Sequence, residues 1–152
     1  MTLFFPDLNV WLALSDRAHV HHDDAWAWGN ALPGDVGLIF SRYTHIGLLR
    51  LLTNEAVMGP ATLTLREAWE VYDAWRADAR VMFYPEPFAL ETTFRSATQP
   101  LGAKRASKWV GDCYLMAYAK DCGATLVTFD KALMQAARKA GCSTLTPAAP
   151  RH

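Results

Sequence analysis

The chain has 152 residues, 51% hydrophobic and 20% charged, with 15 basic and 15 acidic side chains. That length fits one domain with a sizeable core, and that composition excludes a disordered or coiled-coil chain. The zero formal charge counts against a general nucleic-acid binder, and no apolar run approaches the ~18 residues that span a bilayer. The N-terminus has neither a basic n-region nor a small-residue cleavage site, so no secretory leader is expected. Cys113, Cys122 and Cys142 are odd in number and lack CxxC spacing. They predict reduced thiols in a cytoplasmic protein rather than a disulfide frame or zinc site.

In chain order, Leu3 to Phe5 reads as a short buried strand ended by Pro6. Leu8 to Leu14 is helical, and an amphipathic helix is expected from His19 to Trp28, stopped near Pro33-Gly34. Val36 to Phe40 is a second strand. Ser41 then caps a helix from Arg42 to Asn54, with Ile46, Leu48, Leu49, Leu51 and Leu52 on its core face. After the break at Met58-Gly59-Pro60, Thr64 and Glu67 stand at capping-box spacing before a helix through Trp75. Arg80 to Tyr84 is a third strand, and Pro87 to Thr98 is helical. The basic loop SATQPLGAKRASK leads into a helix from Ser107 or Lys108 to Asp121, with Gly123 as its stop. Ala124 to Thr128 is a fourth strand, and Asp130 caps a helix ending at Gly141. Ser143 to Thr146 is a short edge strand. Alternating strands and helices predict an α/β domain with a parallel sheet over residues 1–146, followed by a short frayed tail, 147–152.

Asp7 and Asp130 directly follow apolar strand-like runs, and Asp112 opens an apolar helix. In an open parallel sheet the strand C-terminal ends line one edge, where ligands bind, so carboxylates far apart in sequence can meet there. Clustered acids with no basic partner are costly unless a divalent cation neutralises them, and an all-oxygen donor set suits Mg²⁺ or Mn²⁺. The chemistry this predicts is metal-assisted phosphodiester cleavage.

Four stretches, in order, carry a resemblance: Asp7-Leu8-Asn9-Val10; Gly47-Leu48-Leu49-Arg50-Leu51-Leu52-Thr53-Asn54; Asp112 at its helix start; and Ala124 to Asp130. The pattern resembles the PIN-domain ribonucleases, and within them the VapC-type toxins of type II toxin–antitoxin systems. The resemblance implies a three-layer α/β/α fold with a mostly parallel sheet of four or five strands. It also implies a Mg²⁺- or Mn²⁺-dependent endoribonuclease cutting tRNA or rRNA, held in check by a small VapB-like antitoxin. The chain departs from the family in one respect. Members carry an acid shortly before the Gly-x-x-Arg stretch, and the matching position here is His45, with no carboxylate between Asp35 and Glu55. A catalytically weakened module that binds RNA or an antitoxin is therefore the alternative function.

Each candidate has a plainer reading beside it. Asp7 and Asp130 are metal ligands or helix N-caps, since both roles use the same side chain. Asp112 near the start of a core helix needs solvent or a cation. Asn9 braces the Asp7 turn or is a simple turn amide; Thr128 contacts the substrate phosphate or Asp130, or is an ordinary strand residue. His45 shifts the metal preference towards Mn²⁺, acts as a base or phosphate contact, or is a structural histidine; in the first case His45→Glu tightens Mg²⁺ binding. Lys104, Arg105 and Lys108 hold the RNA backbone or form a solvated loop. His19, His21 and His22 with Asp23 and Asp24 read as an exposed helix start, not a metal site. Trp109 is a candidate for base stacking, and the aromatic-rich helices at His21–Trp28 and Glu67–Trp75 suit a homodimer seam or an antitoxin groove.

Overall fold

The computed structural model describes residues 1–151. β1 (Leu3–Pro6), β2 (Gly37–Phe40), β3 (Val81–Phe83), β4 (Thr125–Val127) and β5 (Thr144–Leu145) form one sheet. Its order is β3-β2-β1-β4-β5 and every pairing is parallel, with Phe4 opposite both Leu38 and Thr125. Alternate strand residues serve opposite faces, which is why the strands are apolar throughout. Leu38, Phe40 and Val127 face one core; Phe5, Ile39 and Leu126 face the other.

The first core is covered by α1 (Leu8–Ser15), α2 (His22–Ala31), α3 (Arg42–Leu52), the short α4 (Glu55–Met58) and α5 (Leu65–Arg76). Trp11 is fully buried there and stacks on Phe40, ring centroids 3.9 Å apart. The second core is covered by α6 (Leu90–Thr98), α7 (Val110–Cys122) and α8 (Lys131–Lys139). Buried Cys113 and Cys142 pack in it as free thiols. The result is the expected α/β/α sandwich, with the upper of the two expected strand numbers.

The predicted caps at Ser41 and Thr64 form, each as a reciprocal capping box, and Gly123 closes α7 in the left-handed conformation at φ +65°. Three expectations need correction. The α2 helix starts at His22, not His19, because local bonds favour a turn before it: Ala18 N–H donates to the Asp16 carboxylate and His21 N–H to His19 Nδ1. α3 stops at Leu52, because the Asn54 side chain caps the separate α4. Ile46 is 48% exposed, since the core stripe of α3 runs through His45, Leu48, Leu49 and Leu52 instead. Pro147 is still buried, so packing continues one residue beyond the predicted domain end. No helix among the described residues is long and apolar enough to cross a membrane.

The sheet order decides where a site can form. From β1 the chain moves outward to β2 and β3, then returns to place β4 on the other side of β1. The crevice outside the C-terminal ends of β1 and β4 is therefore the topological switch point, the usual ligand position in such sheets.

Candidate active site

Asp7 directly follows β1 at that crevice and is 5% exposed. Its backbone N–H donates to Val127 O (3.0 Å), extending the β1–β4 pairing by one residue. Its Oδ1 accepts the Val10 N–H at 3.0 Å as the cap of α1, and its Oδ2 accepts the Thr128 hydroxyl at 2.5 Å. Thr128, fully buried just past β4, also accepts the Asp130 backbone N–H at 3.0 Å. One hydroxyl thus ties together the turns after β1 and β4, from residues 121 positions apart.

Burial pushes the Asp7 carboxyl up to about 6, against the opposing pull of the Thr128 hydroxyl and the backbone donors of Val10 and Asn9; the negative charge of Asp130 adds to the rise. Asp112, half-buried in the first turn of α7, is raised by burial and then by the same Asp130 charge. Asp130 therefore acts electrostatically on both of the others. Asp130 itself caps α8, its Oδ1 accepting the N–H groups of Ala132 (2.9 Å) and Leu133 (3.1 Å). For Asp7 and Asp130 the capping role and the place at the crevice are held by the same side chain.

No ion pair among the described residues neutralises these carboxylates. Among the described residues the ion pairs are Arg80–Asp78 and Arg95–Glu91, and neither touches the crevice. No group of three or more acidic, histidine or cysteine side chains among those residues stands close enough to hold a metal ion. The donor set nonetheless fits a hard divalent cation: it is all oxygen, anionic and unpaired, and Mg²⁺ keeps several waters while using one or two carboxylates. These residues could hold Mg²⁺ or Mn²⁺.

The other predicted positions divide clearly. The Asn9 side chain is exposed, and it is the Asn9 backbone N–H that reaches Asp7. Lys104, Arg105 and Lys108 are exposed on the approach to α7, and Lys108 Nζ lies 5.3 Å from the Trp109 ring centroid, a cation–π contact on the face considered for a base. His45 does not join the acids. It is 3% exposed, stacked on Tyr72 (3.8 Å) and edge-on to Trp69 (4.9 Å), with Nδ1 3.0 Å from Arg42 Nη1. Burial and the Arg42 and Arg76 charges lower its pKa, and no crevice carboxylate contributes.

Of the α3 residues that do approach the crevice, Arg50 belongs to the stretch that carries the resemblance, whereas Tyr43 was not singled out by the sequence. Tyr43 packs its ring against Tyr114 at 5.0 Å, and its hydroxyl is raised by burial and then by the charge of Asp112. Arg50 is close enough to oppose that rise. Glu86, just beyond β3, acts likewise on Tyr114, which burial first pushes up to about 12. A usable signal existed: Tyr43, Gly47 and Arg50 share one helix face by spacing. Gly47 allows Leu8 to press against that face, where a Cβ would meet Leu8 Cδ2 at 2.0 Å.

Residues 4–139 match the PIN domain family. The chain belongs to the PIN domain family. It is 40% identical over 134 residues to ribonuclease VapC41 of Mycobacterium tuberculosis, covering 85% of this chain and 90% of that one. Ribonuclease VapC39 of the same organism is 32% identical over 131 residues, 86% and 91% of the two chains. Among solved PIN-fold structures, VapBC2 of Rickettsia felis, bound to a DNA fragment of its promoter, has a TM-score of 0.69 at 12% identity over 96% of this chain and 99% of that one. The sarcin–ricin-loop-cleaving toxin VapC20 of M. tuberculosis has 0.63 at 17% identity over 89% and 95%. At those identities the structural likeness concerns the fold.

Proposed function

We propose that this PIN domain is a Mg²⁺- or Mn²⁺-dependent endoribonuclease, the toxin of a toxin–antitoxin pair. What supports the proposal is that Asp7 and Asp112 both feel the charge of Asp130 near the switch point of the sheet, with no ion pair among the described residues to neutralise the three. Ribonuclease relatives at 40% and 32% identity support the same activity. In this reading Asp7, Asp112 and Asp130 hold the ion. When bound, such an ion supplies a water nucleophile at neutral pH and neutralises charge on phosphate oxygens.

The chain's own groups set the conditions for that chemistry. The Thr128 hydroxyl favours the ionised form of Asp7 despite its burial, and orients the carboxylate towards the turn after β4. Lys104, Arg105 and Lys108, exposed and without ion pairs among the described residues, hold the RNA backbone as it approaches α7. The substrate is tRNA or rRNA, and the product ends are a 5′-phosphate and a 3′-hydroxyl. Half-exposed Trp26 and Trp69 supply aromatic surface for an antitoxin or a second copy of the chain. The workplace is the cytoplasm, where the free thiols of Cys113, Cys122 and Cys142 stay reduced.

A second reading rests on α3, which offers no carboxylate to the crevice: His45 packs against Tyr72. In that reading the protein binds RNA or an antitoxin without efficient cleavage. One experiment separates the two. The purified protein is incubated with bulk tRNA and rRNA in MnCl₂, with EDTA and Asp112→Asn as controls. Discrete cuts that vanish in both controls support the nuclease. Cuts that persist after full chelation contradict metal dependence, and RNA retention without cuts supports the binding module.

A further inference from the structure

Gly111 lies in the first turn of α7, immediately before Asp112. A Cβ added there would meet the Tyr43 hydroxyl oxygen at 2.3 Å but the ring carbon that bears it at 3.4 Å. The first distance is a clash and the second is ordinary contact. Glycine is unfavourable inside a helix; here it makes room for one oxygen atom rather than for a ring. Tyr43 is 39% exposed, its ring is braced by Tyr114, and its hydroxyl makes no hydrogen bond within the described residues although the charge of Asp112 reaches it. On the same helix face, Arg50 brings a guanidinium within electrostatic range and forms no ion pair among those residues. The α3 wall of the crevice therefore offers an O–H donor and a cation, opposite carboxylates on the other walls. A phosphate bridging the two walls would be matched on both sides.

We propose that the Tyr43 hydroxyl, admitted by Gly111, donates a hydrogen bond to a non-bridging oxygen of the RNA phosphate undergoing cleavage. This inference rests on the ribonuclease reading. Negative charge on that oxygen rises as the bond breaks, so the contact strengthens in the transition state. No atom of the protein changes its bonding in this step; the tyrosine keeps its proton throughout.

The test is a double-mutant cycle. A fluorogenic RNA oligonucleotide is built around a cut that the native protein makes in bulk tRNA and rRNA. Its cleavage is followed in MnCl₂ for the native protein, Tyr43→Phe, Gly111→Ala and the double variant. Loss of one hydrogen bond to a charged group lowers kcat by about 10- to 100-fold. Tyr43→Phe is expected to show that loss with KM within about twofold, and Gly111→Ala, which evicts the oxygen, is expected to match it. The double variant loses no more than the worse single variant, because a phenylalanine ring tolerates the new methyl group. Melting temperatures stay near the native value throughout. A Tyr43→Phe kcat within twofold of native, a loss confined to KM, or multiplicative losses in the double variant would overturn the inference and leave the nuclease standing. A native protein that cuts no RNA overturns the nuclease reading and this inference with it.

Discussion

Replacing Asp7 with asparagine should make the protein more stable at alkaline pH while abolishing cleavage. Burial lifts the Asp7 carboxyl from 3.8 to about 6 in the fold. Between those values the folded chain binds more protons than the unfolded chain, so stability falls as pH rises through that window and levels off above it. A two-unit rise corresponds to about 3 kcal/mol of cost for holding the buried carboxylate ionised at pH 8. Asparagine removes that charge. Its Oδ1 still accepts the Val10 N–H, while its Nδ2 faces the Thr128 oxygen and displaces the proton that Asp7 now accepts. The imperfect bond returns about 1 kcal/mol of the gain. The net of about 2 kcal/mol predicts that Asp7→Asn raises Tm at pH 8 by about 4–8 °C. At pH 4, where the native carboxyl is protonated in the fold, the two proteins should melt together or the variant slightly lower. Calorimetric melts at both pH values, without divalent ions, read this directly. A variant less stable than native at pH 8, or an offset independent of pH, would refute the electrostatic account of this turn.

His45→Glu should leave Mn²⁺ affinity by titration calorimetry unchanged and lower stability by about 1–3 kcal/mol, since it buries a carboxylate among aromatic rings. Tighter Mn²⁺ binding would instead bring that side chain into the crevice. Neutralising Lys104, Arg105 and Lys108 together should weaken RNA binding measured by anisotropy in EDTA and flatten the salt dependence by about 2 log units per log unit of salt. An unchanged salt slope would mean that the loop is merely solvated.

The fold could be read from the chain because its strands are buried on both faces and its caps are local. The runs at Leu3–Phe5 and Leu38–Phe40 need no tertiary context, and Ser41 and Thr64 cap through partners three residues away. The turn before α2 was harder, because a histidine ring, His19, supplies its hydrogen bond. In the candidate site, Asp7 and Asp130 could be placed because strand ends in such a sheet share an edge, and Asp112 because an acid near the start of a core helix needs solvent or a cation. Thr128 was legible as a candidate, although its tie to Asp7 depends on β4 pairing with β1 across 121 positions. His45 was misplaced for a geometric reason. Motif spacing picks a position along α3, whereas the crevice selects a helix face. Tyr43, Gly47 and Arg50 share that face, and His45 belongs to the stripe packed on α5. The hydroxyl-sized gap at Gly111 is a relation between two helices, and neither helix announces it alone.

In the proposed nuclease, Asp7, Asp112 and Asp130 serve one divalent ion. Mn²⁺ titration followed by electron paramagnetic resonance, on the native protein and on the three single Asp→Asn variants, reads that shared site. Each substitution should weaken the same tight site by at least tenfold, leaving secondary structure by circular dichroism intact. Variants that bind Mn²⁺ as the native protein does, or a native protein with no tight site, would contradict it.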